Sequence, residues 1–409
     1  MNAMRPPQLR ILYHHRIAAS DGMRVHVAGL VQALRAQGHL VRQVGPGGVE
    51  VDQTAGAPGR LERMIDGLRR RLPQWAFESL ELLYNAPAYA RLSAAARDFQ
   101  PDVIYERYNL FLLAGLWLRA RRRLPMLLEI NSPLVAERTA LGQLRLVGVG
   151  VRCERALWRG ADAVLPVTGV LARIVGQKRE DAASIHVIPN GADLAVSPDD
   201  EAAMTARKRL GLTADDIVLG FVGFVRAWHG VGWALEAMRH LPPTTHLVIV
   251  GDGPALAGLR TRAEDLGLTA RLHLVGRVRH DEVSAYMRTF DIALQTASVP
   301  YASPLKLFEY MVLGRAVIAP DQPNIREVLD DGVNALLFDP DSEMSFRTVL
   351  SRLCNDRALR VQLGGSARTT IQERRLTWAY NAERIGRLAR DLLDGAPAKP
   401  RHAAAANRA

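Results

Sequence analysis

The sequence predicts an α/β protein of two domains, each a parallel sheet covered by helices, facing each other across a cleft. Three observations carry that expectation. Strand-like runs alternate with helical stretches from end to end, the rhythm of parallel sheets with helices on both faces. The chain has 409 residues, too many for one ordinary hydrophobic core and enough for two. The rhythm also breaks once, at the proline- and acid-rich SPDDEAAM (197–204), and then starts again.

In the first half, LRILYHH (9–15) is an apolar strand run. MRVHVAGLVQALRAQ (23–37) follows at helical spacing and stops at Gly38, before HLVRQV (39–44). DVIYER (102–107), a helix over 110–121, PMLLEIN (125–131), a helix over 143–159, DAVLPVT (162–168) and a strand IHVIPNG (185–191) complete this half. After the break come DIVLGFVGF (216–224), THLVIVGDG (245–253), RLHLVGRV (271–278), DIALQTA (291–297), AVIAP (316–320) and ALLFDP (335–340), with helices between them. The resulting division is a Rossmann-like domain over 1–190, a linker over 191–200 and a second Rossmann-like domain over 201–375. A final helix over 376–394 is expected to return to the first domain, and the tail 395–409 is low in complexity and expected to be disordered. Such paired domains bind ligand where the carboxyl ends of their strands face each other.

Composition narrows the function classes. Hydrophobic residues make up 48% and charged residues 23%, as in a soluble globular protein. Cys153 and Cys354 form no metal or redox spacing, which suits a reducing compartment. MNAMRPPQ leads into a strand instead of a signal-type apolar segment, and no long apolar run spans a bilayer, so a cytoplasmic location is expected. The net charge of +11 is uneven: residues 1–195 hold 26 Lys+Arg against 17 Asp+Glu, a balance of +9. That excess gathers in 59–73 and 118–125. In the first stretch Leu61, Met64, Ile65, Leu68 and Leu72 share a helical face, with Arg63, Arg70 and Arg71 off it. Two readings stand: a helix lying on an anionic membrane surface, or an ordinary amphipathic helix with a solvated basic face. No aromatic-studded basic motif reads bases, so no nucleic-acid partner is expected.

The most informative stretch is YASPLKLFEYMVLGRAVIAP (301–320). Lysine occurs in this chain only as Lys178, Lys208, Lys306 and Lys399, so its choice inside an apolar helix calls for a reason. Ser303 suits an N-cap, Pro304 the first helical position and Gly314 the end. The helix N-terminus, with the free N–H groups of Leu305 and Lys306, would attract an anion at the carboxyl edge of the second sheet. Lys306 points a cation at the same place. Glu309, one turn on, can accept from two adjacent hydroxyls such as a ribose offers. A phosphate clamp followed by a diol acceptor describes a nucleotide.

These residues also carry a resemblance. FVGFVRAWHGV (221–231), VIVGDGPAL (248–256), LVGRVRHDEVSAYM (274–287), SPLKLFEYMVLGRAVIA (303–319) and NIREVLDDGVNALLFDP (324–340) resemble the carboxyl half of the family 4 glycosyltransferases, retaining enzymes of the GT-B fold. ILYHHRIAASDGMRVHVAGLVQALRAQGHLV (11–41) and IHVIPNGAD (185–193) are similar to the amino half. The likeness is closest to the exopolysaccharide and cell-envelope branch that uses SPLKLFEYM. It implies that Glu309 binds the nucleotide ribose. It also places Tyr301 where the family's sugar-contacting glutamate stands, with backbone N–H groups around Ala302–Leu305 taking part of that role. Phe224 follows Gly223 where the family has an arginine, so Arg226 is the substitute, and His229 stands where a lysine precedes Gly230. The donor set implied is therefore Gly22, Gly223, Arg226, His229, Arg277, Tyr301, Ser303, Pro304, Leu305, Lys306 and Glu309.

On the amino side, the resemblance lays the loop HHRIAASDG (14–22) against donor diphosphate and sugar. Gly22 permits close approach, and Asp21 is either an N-cap or an acceptor contact. His14, His15 and Arg16 are expected toward the acceptor. Glu129 is either a general base or a buried structural acid, and Asn131 falls where relatives often carry a histidine near the reacting carbon. Arg226, Lys306, Glu309, Glu129 and Asn131 form the candidate catalytic set. Competing motifs fail: Gly251 and Gly253 are followed by Leu256, not glycine, so the dinucleotide fingerprint is incomplete, and Asp339-Pro-Asp341 reads as a turn. No metal and no cofactor beyond the nucleotide-sugar donor is expected. The resemblance implies a retaining glycosyltransferase of the hexosyltransferase type, acting on a glycan or polyprenyl-linked acceptor in cell-surface polysaccharide synthesis, peripheral on the inner membrane face. Its alternatives are a nucleotide-sugar 2-epimerase of the same architecture and a catalytically silent nucleotide-sugar-binding protein.

Overall fold

The structure is a computed structural model that describes residues 8–17, 22–46, 48–49, 72–194 and 200–395. Asp21, the basic stretch 59–71 and the tail beyond 395 lie outside the described residues. The first sheet is built from β1 (Arg10–His14), β2 (Leu40–Gly45), β3 (Gly48–Val49), β4 (Val103–Arg107), β5 (Met126–Ile130) and β6 (Ala163–Pro166). Their order is β3-β2-β1-β4-β5-β6, parallel except where β3 runs against β2. Around it lie α1 (Gly22–Ala36), α2 (Gln74–Leu83), α3 (Asn85–Phe99), α4 (Ala114–Arg122), α5 (Leu134–Ala140), α6 (Val147–Gly160) and α7 (Gly169–Gly176).

The second sheet joins β7 (Ile217–Val222), β8 (Thr245–Val250), β9 (Leu272–Gly276), β10 (Ile292–Leu294), β11 (Ala316–Pro320) and β12 (Leu336–Phe338) in the parallel order β12-β11-β10-β7-β8-β9. Its helices are α8 (Asp200–Arg209), α9 (Val231–Ala237), α10 (Leu256–Asp265), α11 (His280–Arg288), α12 (Leu305–Val312), α13 (Glu343–Asn355) and α14 (Arg357–Glu373). The last helix is α15 (Trp378–Asp394). Strands such as β5, β10 and β11 are buried along their whole length because helices cover both faces, which is why they read as unbroken apolar runs. In each sheet the order reverses beside the first strand, between β1 and β4 and between β7 and β10. Ligand crevices of open parallel sheets form at such switch points. No helix among the described residues is long and apolar enough to cross a membrane.

Two local expectations are corrected, and one helical region was not foreseen. IHVIPNG (185–191) is not a strand. His186 and Ile188 donate to the carbonyls of Val164 and Pro166 (3.0 Å each), but Pro166 has no N–H to continue the ladder. The helix expected over 110–121 starts only at Ala114, because Phe111 takes φ 68° and the Asn85 side chain caps the start, accepting from the amides of Leu113 (2.6 Å) and Ala114 (3.0 Å). The long helical region 74–99 was not legible. Part of the reason is that buried Glu78 interrupts the apolar face of α2 in order to accept from the amides of Arg145 (2.8 Å) and Leu146 (2.7 Å) at the start of α6.

The final helix belongs to the first domain's core. Trp378, Ala382, Ile385 and Ala389 are buried in one cluster with Leu30, Val31 and Leu34 of α1. Gly29 allows the approach, since a Cβ there would lie 2.7 Å from the Trp378 indole nitrogen. Thr377 caps α15 by accepting from the amide of Tyr380 (3.1 Å). Trp378→Ala should destabilise the protein by about 3 kcal/mol through the cavity it leaves, read as a lower urea midpoint. An unchanged midpoint would show that the crossing helix contributes no stability.

Candidate active site

The site begins at the carboxyl end of β7. The Val222 amide donates to the Tyr310 hydroxyl (3.0 Å) and the Gly223 amide to the carbonyl of Val250 (2.9 Å). Gly223 takes φ +131°, and a Cβ there would stand 3.5 Å from Lys306 Nζ. A Cβ on Gly251 would lie 2.1 Å from the Gly223 carbonyl, so the turns after β7 and β8 touch backbone to backbone. Lys306, in the first turn of α12, reaches back to this turn and lays its amine 3.7 Å from the centre of the Phe221 ring. Both Lys306 and Glu309 are half-buried. Burial pushes the Lys306 pKa down to about 7, against the pull of Glu309, and pushes Glu309 up to about 7, against the pull of Lys306.

The loop after β7 supplies the other polar groups. The Arg226 side chain is exposed, its guanidinium 5.2 Å from the Phe224 ring. The Arg226 amide donates to His229 Nδ1 (3.1 Å). Burial, with Lys306 and Arg226 nearby, pushes the His229 pKa down to about 4, so at neutral pH its proton sits on Nε2. Arg277 is exposed just past β9.

The start of α12 differs from the sequence expectation. Pro304 occupies the cap position with no side-chain cap, while the Ser303 hydroxyl accepts from the Asn190 amide (3.2 Å). The first-turn N–H groups at Leu305 and Lys306 are thus left without a capping side chain. Tyr301, expected at the donor sugar, instead reaches the amino-terminal domain. Its hydroxyl bonds to Ser132 and Glu137, and burial with the Glu137 charge pushes its pKa up to about 12. Its carbonyl accepts from Thr168 Oγ1 (2.9 Å). It packs against that domain's core because it is an apolar ring where the resemblance implies a carboxylate.

On the amino side, the residues expected to meet acceptor are mostly turned inward. His14 is 2% exposed with Nδ1 against the Glu106 carboxylate, and His15 is 4% exposed with Nδ1 accepting from the Ile17 amide (3.2 Å). Burial, with His14 and Arg107 nearby, pushes His15 down to about 4. The Arg16 guanidinium pairs with Glu81 (3.0 Å) and lies 4.9 Å from the Tyr84 ring. Gly22 is the first residue of α1. The two readings of Glu129 are separated by its surroundings. It is buried, 2.9 Å from His26 Nε2, paired with Arg107, and accepts from Tyr105 (2.8 Å) and Asn131 (2.5 Å). Burial alone would raise its pKa, yet His26 and Arg107 hold the carboxyl well below the usual carboxylate range. Such a group is a poor base near neutrality and a good anchor.

Residues 21–191 match the family described as glycosyl transferase 4-like domain, and residues 204–370 match glycosyl transferases group 1. The chain belongs to the GT-B glycosyltransferases. D-inositol 3-phosphate glycosyltransferase of Xylanimonas cellulosilytica is 27% identical, over 88% of this chain and 89% of that one. Among solved structures, HepE of Anabaena in complex with UDP-glucose superposes with a TM-score of 0.71 at 20% identity, covering 94% of this chain and 100% of that one. Sucrose-phosphate synthase of Thermosynechococcus elongatus gives 0.73 at 20% identity over 95% and 100% of the two chains. This glycosyltransferase therefore shares the two-domain arrangement with enzymes of different names.

Several residues that build the cleft escaped the sequence reading. Phe221 looked like a strand residue and Tyr310 like helix core, yet one cradles the Lys306 amine and the other ties down the end of β7. For Tyr310 its place one turn after the motif lysine was the available signal, and for Phe221 there was none. Glu327 accepts from the amides of Gly169 (2.8 Å) and Val170 (3.1 Å), joining the second domain to the start of α7, and nothing in its sequence context pointed there.

The lowered pKa of Lys306 sets a pH signature. A diphosphate beside the amine favours its charged form, so its pKa rises on binding. At pH 8, where free Lys306 is mostly neutral and Glu309 mostly ionised, binding of a nucleoside diphosphate should take up about one proton per site. Calorimetry in buffers of different ionisation enthalpy reads this directly, and Lys306→Met should abolish the uptake. Equal heats in all buffers for the unsubstituted enzyme would contradict the assignment.

Proposed function

We propose that this glycosyltransferase moves a sugar, with retention, from a nucleotide-diphosphate sugar to a glycan or lipid-linked acceptor in cell-surface polysaccharide synthesis. The observation that carries the donor reading is the Lys306 amine beside the Gly223 turn and the uncapped start of α12. Three sources of positive potential converge there: an amine drawn out of water, a helix N-terminus and, on the facing loop, Arg226. In the reaction the bond from the anomeric carbon to the diphosphate oxygen breaks and negative charge gathers on the leaving diphosphate. Groups already aimed at that charge lower the barrier without reorganising. Glu309, one turn further along the same face, would accept from ribose hydroxyls. HepE was solved with UDP-glucose, which supports a donor of this chemical class.

Attachment to an anionic membrane surface accompanies this reading. In the described part of 118–125, Arg119 pairs with Asp162 (2.7 Å), while Arg121, Arg122 and Arg123 stand in solvent near exposed Trp117. Pelleting with anionic vesicles should fall when Arg69, Arg70 and Arg71 become glutamine. Unchanged pelleting would remove the membrane from the proposal.

The deciding experiment is calorimetry with UDP, GDP, ADP, TDP and CMP, followed by turnover assays with the matching sugar nucleotides. One diphosphate should bind, and Glu309→Ala should weaken it by roughly tenfold to a hundredfold through lost charged hydrogen bonds. Lys306→Ala should lower kcat by about a hundredfold or more, as loss of one transition-state charge partner does. Failure of every diphosphate to bind at millimolar concentration would refute the donor site. Binding without turnover would show a silent binding protein.

A further inference from the structure

The segment that leads into α12 is held by the amino-terminal domain, and Asn190 makes two of the contacts, both to Ser303. The Asn190 amide donates to Ser303 Oγ (3.2 Å), and its side-chain Nδ2 donates to the Ser303 carbonyl (2.5 Å). A carbonyl can only accept, so this contact fixes which end of the Asn190 side chain faces Ser303. Oδ1 then faces His26 Nδ1 at 2.6 Å, and that nitrogen carries a proton. His26 Nε2 lies 2.9 Å from Glu129, the anchored acid at the end of β5. Asn190, His26 and Glu129 are 7%, 6% and 2% exposed, so the chain of contacts runs through the interior. It links the carboxyl edge of the first sheet, through α1, to the residue two positions before α12.

We propose that Asn190 is a positioning residue for the donor diphosphate, acting through Ser303 on the N-terminus of α12. The proposal rests on the donor reading given above. Its physical basis is the short, stiff path from Ser303 to the helix. Pro304 has φ −68° fixed by its ring, and no side chain caps the first turn. The orientation of the Ser303 peptide is therefore passed on to the Leu305 and Lys306 amides with little play. The Asn190 side chain is engaged at both ends, and removing it leaves the Ser303 carbonyl and His26 Nδ1 without that partner. Asn190 and His26 take no part in the donor chemistry described above, and Glu129 enters here only as the buried anchor beside His26.

The test compares two ligands on one protein: whichever of UDP, GDP, ADP or TDP binds the unsubstituted enzyme, and its free nucleoside. Asn190→Asp keeps an oxygen facing His26 but cannot donate to the Ser303 carbonyl, and Asn190→Ala loses both contacts. Both should weaken the diphosphate by about tenfold and leave nucleoside affinity unchanged, because only the phosphate end is displaced. Ser303→Ala, which keeps the carbonyl contact, should weaken the diphosphate less, again without moving the nucleoside. If the Asn190 variants fail to fold, Ser303→Ala decides: an unchanged ratio of diphosphate to nucleoside affinity overturns the proposal. Equal weakening of both ligands in the Asn190 variants, or no change in either, overturns it as well. If the unsubstituted enzyme binds no diphosphate, the donor reading itself fails, a result separate from the other two.

Discussion

The carboxyl edge of the second sheet depends on how far the Lys306 amine is drawn out of water beside the Gly223 turn. A pKa pushed from 10.5 to about 7 corresponds to a desolvation cost of several kcal/mol. The Phe221 ring beneath the amine favours its charged form, and the Glu309 attraction is already contained in that net shift. An anion placed beside the amine would gain a charged partner in a medium where charge interactions are strong. The same constraint explains the neighbouring residues. Gly251 lacks a side chain because a Cβ would strike the Gly223 carbonyl, and Gly223 because its φ of +131° is one that L side chains rarely adopt. Tyr310 is spared for bonding the Val222 amide, which fixes the end of the strand on which the turn is built.

A second constraint is that the helix bearing this lysine is not oriented by its own domain alone. Asn190 holds Ser303, Thr168 holds the Tyr301 carbonyl, and the Tyr301 ring lies in the amino-terminal core. In the opposite direction Glu327 places its carboxylate on the first amides of α7, where the helix dipole favours a negative charge. The crossing helix α15 adds its apolar face to α1. Each domain thus lends polar groups to a helix start belonging to the other, and the geometry of the cleft follows from both sheets together.

Much of this was legible from residue order. Alternating apolar runs and helical periods gave both sheets, since parallel strands buried on two faces need continuous apolar sequence. Lys306 and Glu309 stood out because an apolar helix has no packing use for them. What the pattern hid were polar groups used internally. Glu78 and Asn85 are buried to satisfy backbone amides, and Glu129, which was open between a base and a buried acid, is buried where it pairs with Arg107. Ser303 has the chemistry of an N-cap, but its hydroxyl is taken by an amide more than a hundred residues away in sequence.

The sequence by itself determined the two-domain α/β architecture and the helix that carries Lys306, because periodicity, glycine turns and helix starts are local properties read over a few residues. Only the tertiary structure decided that Tyr301 faces the amino-terminal domain, that His14 and His15 are interior, and that Asn190 reaches Ser303. Those outcomes depend on which groups meet across the closed cleft, and burial and pairing of that kind are set by contacts between distant segments, which no local pattern encodes.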